Sequence, residues 1–144
     1  MPHLDQWFPY KKLVSYPDMR PEDKRIWESF IEQFPNAFEK VMYDVRVGEE
    51  VEMLEVPRNV GEAWQDLTKW AIDVLGVKDN ITYIIEIKPN ANAKAIGQAL
   101  CYAHLYRKEH PDAGRIIPTV LTDDCSPTTG ICCQMLHVLL LGIK

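Results

Sequence analysis

The sequence has no apolar run near the roughly 18 residues that a membrane-crossing helix needs. Its first stretch, MPHLDQWFPYKK, lacks the basic start and apolar core of a secretion signal. The expected location is therefore the cytoplasm, or a host cell's cytoplasm for a viral protein. Positive charge is scarce: 16 Lys and Arg stand against 21 Asp and Glu, a net charge of −5. That balance argues against broad, non-specific phosphate binding. It leaves room for a local basic patch, or for an acidic site neutralised by a metal ion. Cysteine is also sparse, with Cys101, Cys125, Cys132 and Cys133 making the full set. Without a secretion signal a disulfide framework is not expected. Paired CxxC or HxxxH spacing of the structural-zinc kind is missing, so small buried side chains are the plainer expectation. There is no internal repeat and no low-complexity tract.

What is present is the composition of one globular domain of 144 residues, 47% hydrophobic and 26% charged, long enough to build a core. The expected organisation is a single domain over 1–144, with an irregular arm at 1–20 and an acidic excursion at 49–63. The arm mixes Trp7, Phe8, Tyr10 and Tyr16 with Pro2, Pro9 and Pro17, which predicts packing against the body. RPEDKRIWESFIEQFP predicts a first helix. Pro21 suits its first turn, Glu22 and Asp23 suit its positive end, and Ile26, Trp27, Phe30, Ile31 and Phe34 form its apolar stripe. FEKVMYDVRVG alternates as a strand, with Asp44 and Arg46 on its solvated face. TKWAIDVLGV and ITYIIEIK predict a hairpin turning at KDN. NANAKAIGQALCYAHLYRKEH is a second helix, GRIIPTVLTD a fourth strand, and ICCQMLHVLLLGI a closing apolar strand that a helical turn can precede.

The chemistry gathers at the end of the third strand. Side chains alternate along a strand, so Thr82, Ile84, Glu86 and Lys88 share one face. Isoleucines on both faces predict a central strand covered on both sides. Asp73 shares a face with Ala71 and Leu75 on the second strand, and the hairpin can bring it to Glu86. Two carboxylates about 4 Å apart repel by about 4 kcal/mol at an effective dielectric near 20. Such a pair calls for a cation: Lys88 supplies one charge, and a hard dication supplies two through oxygen ligands. Gln98 and Tyr102 lie four apart on one helix face and add polar groups without charge.

Asp73, then Glu86-Ile87-Lys88, then Gln98 to Tyr102 resembles the PD-(D/E)XK nuclease superfamily, in its RecB-like branches with a QxxxY helix. The resemblance spans roughly residues 21–122. It implies an α/β fold with a restriction-endonuclease-like αβββαβ core, a mixed central sheet flanked by helices. It also implies a Mg²⁺- or Mn²⁺-dependent enzyme hydrolysing DNA phosphodiester bonds. In that reading Asp73, Glu86 and the carbonyl of Ile87 hold the metal, Lys88 orients the attacking water, and Gln98 supports the site. Tyr102 contacts substrate. A homodimer is one assembly the resemblance implies. Ile72 stands where the superfamily's name has proline. Pro17-Asp18 lies too far upstream and is taken as coincidence. Many members add an acid from the first helix, and Asp23 is placed for that, but it is taken here as a helix-end acid.

Two other function classes stay open. One is a catalytically silent DNA-binding or accessory protein on the same scaffold, with Lys69, Lys94, Arg107, Lys108 and Arg115 as its basic contacts. The other is a zinc-bound interaction module using Cys125, Cys132, Cys133 and His137.

Overall fold

The structure is a computed structural model that describes residues 5–48 and 70–144. In chain order the elements are β1 (Phe8–Pro9), α1 (Pro21–Gln33), β2 (Lys40–Arg46), β3 (Ala71–Lys78), β4 (Ile81–Ile87), α2 (Ala93–Glu109), β5 (Arg115–Thr122), α3 (Pro127–Met135) and β6 (Leu139–Gly142). The excursion expected at 49–63 lies outside the described residues. Six strands form one sheet in sequence order. The first three pairings are antiparallel and the last two, β4–β5 and β5–β6, are parallel. Among the described residues no helix is long and apolar enough to cross a membrane.

The β3–β4 hairpin follows from its turn. Asp79 and Asn80 both take left-handed φ, 51° and 63°, as the two central residues of a type I′ turn must. Asp and Asn tolerate that region better than most residues. The register Lys78↔Ile81 runs on to Val74↔Ile85, which brings Asp73 level with Glu86. Ile84 and Ile85 are both essentially buried, so β4 is covered on both faces, as its two-sided apolar pattern predicts.

Each face has its own helix. Ile26, Trp27, Phe30 and Ile31 of α1 pack on Val41, Tyr43, Val74, Ile85 and Leu121, and Trp27 Nε1 donates to the Tyr43 hydroxyl at 2.9 Å. On the other face Tyr102 and Ala103 of α2 join Val45, Ile72, Leu75 and Ile84. The start of α2 is made of small residues. Ala95 and Ala99 are fully buried, and short side chains let the helix lie close to the sheet. Asn92 caps it by accepting from the backbone N–H of Lys94 at 3.1 Å.

Three expectations need correction. Residues 1–20 are not wholly irregular, because Phe8 and Pro9 pair with Val41 and Lys40 as an edge strand. The chain end carries more than one helical turn before its strand: α3 has nine residues and β6 only four; Ser126 caps α3 through the N–H of Thr129 at 3.2 Å, and Pro127 sits in its first turn. Third, strict alternation fails on β2 and β3. Val41 and Tyr43 pack on the α1 side, whereas Val45 and Val47, of the same parity, pack on the α2 side. On β3, Val74 faces α1 but Ile72 joins Leu75 on the α2 side. Both breaks fall at one rung, Asp44 opposite Asp73, which interrupts the ladder between Tyr43↔Val74 and Val45↔Ile72. Asp44 has φ 52°, and that left-handed residue changes the side on which later residues emerge.

Candidate active site

The interrupted rung opens onto a cavity of about 610 Å³. Asp73, Glu86, Ile87 and Lys88 line it, with Gln98 and Tyr102 from α2. The structure therefore brings together every residue proposed from the sequence for the site. It adds Asp23, Asp44, Trp70, Arg20 and Lys94, and the Pro17–Asp18 pair on the rim. In all, six acids and three bases face this space.

Asp73 and Glu86 are held together by the strand ends. The β3–β4 ladder stops at Val74↔Ile85. Beyond it the backbone N–H of Ile87 donates to Asp73 Oδ2 at 2.8 Å. That bond fixes the Asp73 carboxyl against the end of β4. The Asp73 and Glu86 carboxyls come close enough to share a hydrogen bond, and both have pKa values raised above the ordinary carboxylate range. Burial is the main cause for each. For Glu86 the charge of Asp73 is next, then that of Asp23, against a smaller opposing effect of Lys88. Glu86 is only 8% exposed. Among the described residues its Oε2 is buried with no hydrogen-bond partner, an arrangement that costs free energy unless something compensates it.

An oxygen-lined pocket with an orphaned carboxylate oxygen fits a hard dication. Magnesium in particular keeps several of its own waters and needs only one or two protein carboxylates. Asp73 and Glu86 would be those two, with the Ile87 carbonyl as a third donor. Among the described residues no three His, Cys, Asp or Glu side chains form a metal-holding group, so Asp23 and Asp44 line the wall without closing a cage. Cys125, Cys132, Cys133 and His137 form no such group either. Cys125, Cys132 and Cys133 are free thiols that pack around Ala91, Ala95 and Val138, and His137 is exposed on the turn before β6.

Tyr102 is 4% exposed. Its hydroxyl accepts from Gln98 Nε2 at 3.4 Å, and its pKa is raised by burial first and then by Glu86 and Asp73. Packing and proximity to the acids thus coincide in one side chain.

Four acids on the cavity, Asp18, Glu22, Asp23 and Asp44, lie outside the site proposed from the sequence. Asp23, taken for a helix-end acid, lines the cavity, and its pKa is raised chiefly by burial. It precedes Ile26 by three and Trp27 by four, so the buried stripe of α1 passes through it. Asp44, expected on a solvated face with Arg46, instead lines the cavity and raises the pKa of Asp73. Arg46 is not simply solvated either, since its Nε is buried with no partner among the described residues. Of the five candidate basic contacts, Lys94 reaches the cavity. Arg107 is spent on the carbonyls of Ala113 and Gly114, at 2.7 and 2.5 Å. Lys108 and Arg115 are exposed elsewhere, and Lys69 lies outside the described residues. The loop after β4 is pinned by Asp123, which accepts from Asn90 N at 2.8 Å and from Arg25 Nη2 at 2.7 Å.

No family model matches the chain, and no curated protein does. Among solved structures, part of the chain is similar to the crystal structure of a repair endonuclease from Pyrococcus abyssi. Identity is 14% and the TM-score 0.45, over 51% of this chain and 33% of that one. The match spans about a third of that protein's length. It is a partial likeness in fold, and nothing about activity follows from it.

Proposed function

We propose that this protein is a Mg²⁺- or Mn²⁺-dependent nuclease that hydrolyses phosphodiester bonds of DNA. The observation that carries the reading is the adjacent Asp73–Glu86 pair, half-buried at Asp73 and buried at Glu86, with a Glu86 oxygen that has no partner among the described residues, opening beside Lys88 into a cavity. The order Asp73, Glu86-Ile87-Lys88 and Gln98-to-Tyr102, met in the sequence, supports the same reading. A dication held there supplies a Lewis acid for the phosphate and makes water a better nucleophile near neutral pH. Asp73 and Glu86 hold that charge, and Asp73 is itself held by the Ile87 N–H. Lys88 places a positive charge beside Glu86, where it orients water for in-line attack and steadies the phosphate oxygens. Water gives up a proton to solvent as its oxygen bonds to phosphorus, the bond to the leaving sugar oxygen breaks, and that oxygen takes a proton from solvent. Gln98 and Tyr102 keep the polar wall ordered, and Asp23 and Asp44 would add acceptors to the same wall.

The test is incubation of labelled duplex, branched and single-stranded DNA with the protein in Mg²⁺, Mn²⁺ or EDTA. Metal-dependent products are expected from the wild type, and Lys88→Ala is expected to lose about 10²- to 10³-fold in rate, as when one charge-stabilising group is removed. Retention of DNA without cutting in either metal would support the silent binding protein instead. Full cleavage by Lys88→Ala would overturn the role given to that residue.

A further inference from the structure

Trp70 lines the cavity, yet the proposed chemistry does not use it. It is neither buried nor fully exposed. Its position is fixed twice: its carbonyl accepts from Val47 N at 3.1 Å, and its ring meets Tyr102 at 5.6 Å with the planes 60° apart. Tyr102 is too buried to offer a face to a ligand. Trp7, another partly exposed indole, is already covered by Lys40 at 4.1 Å. Trp70 stands three residues before Asp73, about 10 Å along a strand, with Lys94 on the same cavity. A rigid indole and a cation, one nucleotide's reach from the acids, are the two components of single-strand recognition. The indole stacks a base whatever its identity, and the cation meets backbone phosphate.

We infer that Trp70 forms a base-stacking subsite, taking one unstacked nucleobase next to the phosphate that lies at Asp73 and Glu86. This rests on the nuclease reading for its ligand, but not on cleavage taking place. Bases in a duplex are stacked on both sides, so the subsite favours an unpaired or frayed strand. A cavity of about 610 Å³ is of the size that takes a small ligand, with room for a nucleotide.

The test uses the full chain in calcium, a hard dication for the same oxygen ligands. Binding of a fluorescently labelled oligo(dT) and of a blunt hairpin duplex is followed by anisotropy for wild type, Trp70→Phe and Trp70→Leu. Thermal melts confirm that each variant is folded. The expected result is that Trp70→Leu weakens oligo(dT) binding by at least about fivefold. Trp70→Phe keeps most of the affinity, and the hairpin changes by less than twofold. Oligo(dT) affinity within twofold of wild type in Trp70→Leu would overturn the subsite. So would equal weakening toward both DNAs, or no saturable oligo(dT) binding by the wild type. Cleavage in Mn²⁺ is scored separately. A wild type that binds through Trp70 but never cuts would sink the nuclease reading and leave the subsite standing. A wild type that cuts while Trp70→Leu binds normally would do the reverse.

Discussion

Replacing Glu86 by glutamine removes one of two acids that burial forces together. In the metal-free protein Glu86→Gln is expected to melt higher than wild type, because an amide has no charge to desolvate and none to set against Asp73. Cleavage should fall to background in the same variant, since a neutral amide is a poor ligand for a hard cation. Rising stability with falling activity is the signature of a site built against the fold's own preference. The pH dependence follows from the same pair. Both carboxyls have raised pKa values, so above about pH 4 the folded state keeps protons that the unfolded chain releases. Stability of the metal-free protein is therefore fully present below the ordinary carboxylate range and declines as pH rises through the raised folded values. A dication displaces those protons, so its stabilisation grows over the same interval. Melting curves from about pH 5 to pH 8, with and without Mg²⁺, check both trends. A metal-free melting point that climbs across that interval would contradict the assignment. Asp73, Glu86, Lys88, Gln98 and Tyr102 could be picked out from the sequence because strand alternation and i, i+4 helix spacing place them together. Asp44 could not, because a left-handed residue defeats a period-of-two reading. Asp23 is legible as a candidate from the apolar stripe of α1, but its local explanation at a helix start is the preferred one on sequence alone, and the docking of α1 decides for the cavity.

At the scale of elements, the hairpin sets the site. Gly76 lies on the α1 side of β3, where a Cβ would come within 2.7 Å of the Phe38 ring. Phe38 is itself fenced by Tyr10, Trp27, Phe30 and Tyr83, so it has little room to give. Gly76→Ala is expected to cost about 1–3 kcal/mol, read as a lower denaturant midpoint, with cleavage by the folded fraction unchanged. A loss of activity without loss of stability would mean that β3 transmits more to the site than its register. The long elements were legible because each carries its period: the stripe of α1, the two-sided isoleucines of β4, and the alanines of α2 between Asn92 and Pro111. The short ones were not. Two residues of β1 have no period at all. Helix α3 begins Pro-Thr-Thr-Gly, among the poorer helix formers, and is held by its Ser126 cap and by Cys133 and Val138 against α2.

At the scale of the whole molecule, a chain of net charge −5 must attract a polyanion locally or through bound cations. Arg20, Lys88 and Lys94 on the cavity are outnumbered by the acids beside them. In the proposed reading, a cation at Asp73 and Glu86 is the condition on which substrate approach and chemistry depend. The most direct test is to locate that ion. Crystals soaked in Mn²⁺ and measured at the manganese edge are expected to show an anomalous peak between the carboxylates of Asp73 and Glu86 and the Ile87 carbonyl, absent from Glu86→Gln crystals. A peak elsewhere with none in this cavity, or an unchanged peak in the variant, would contradict the account.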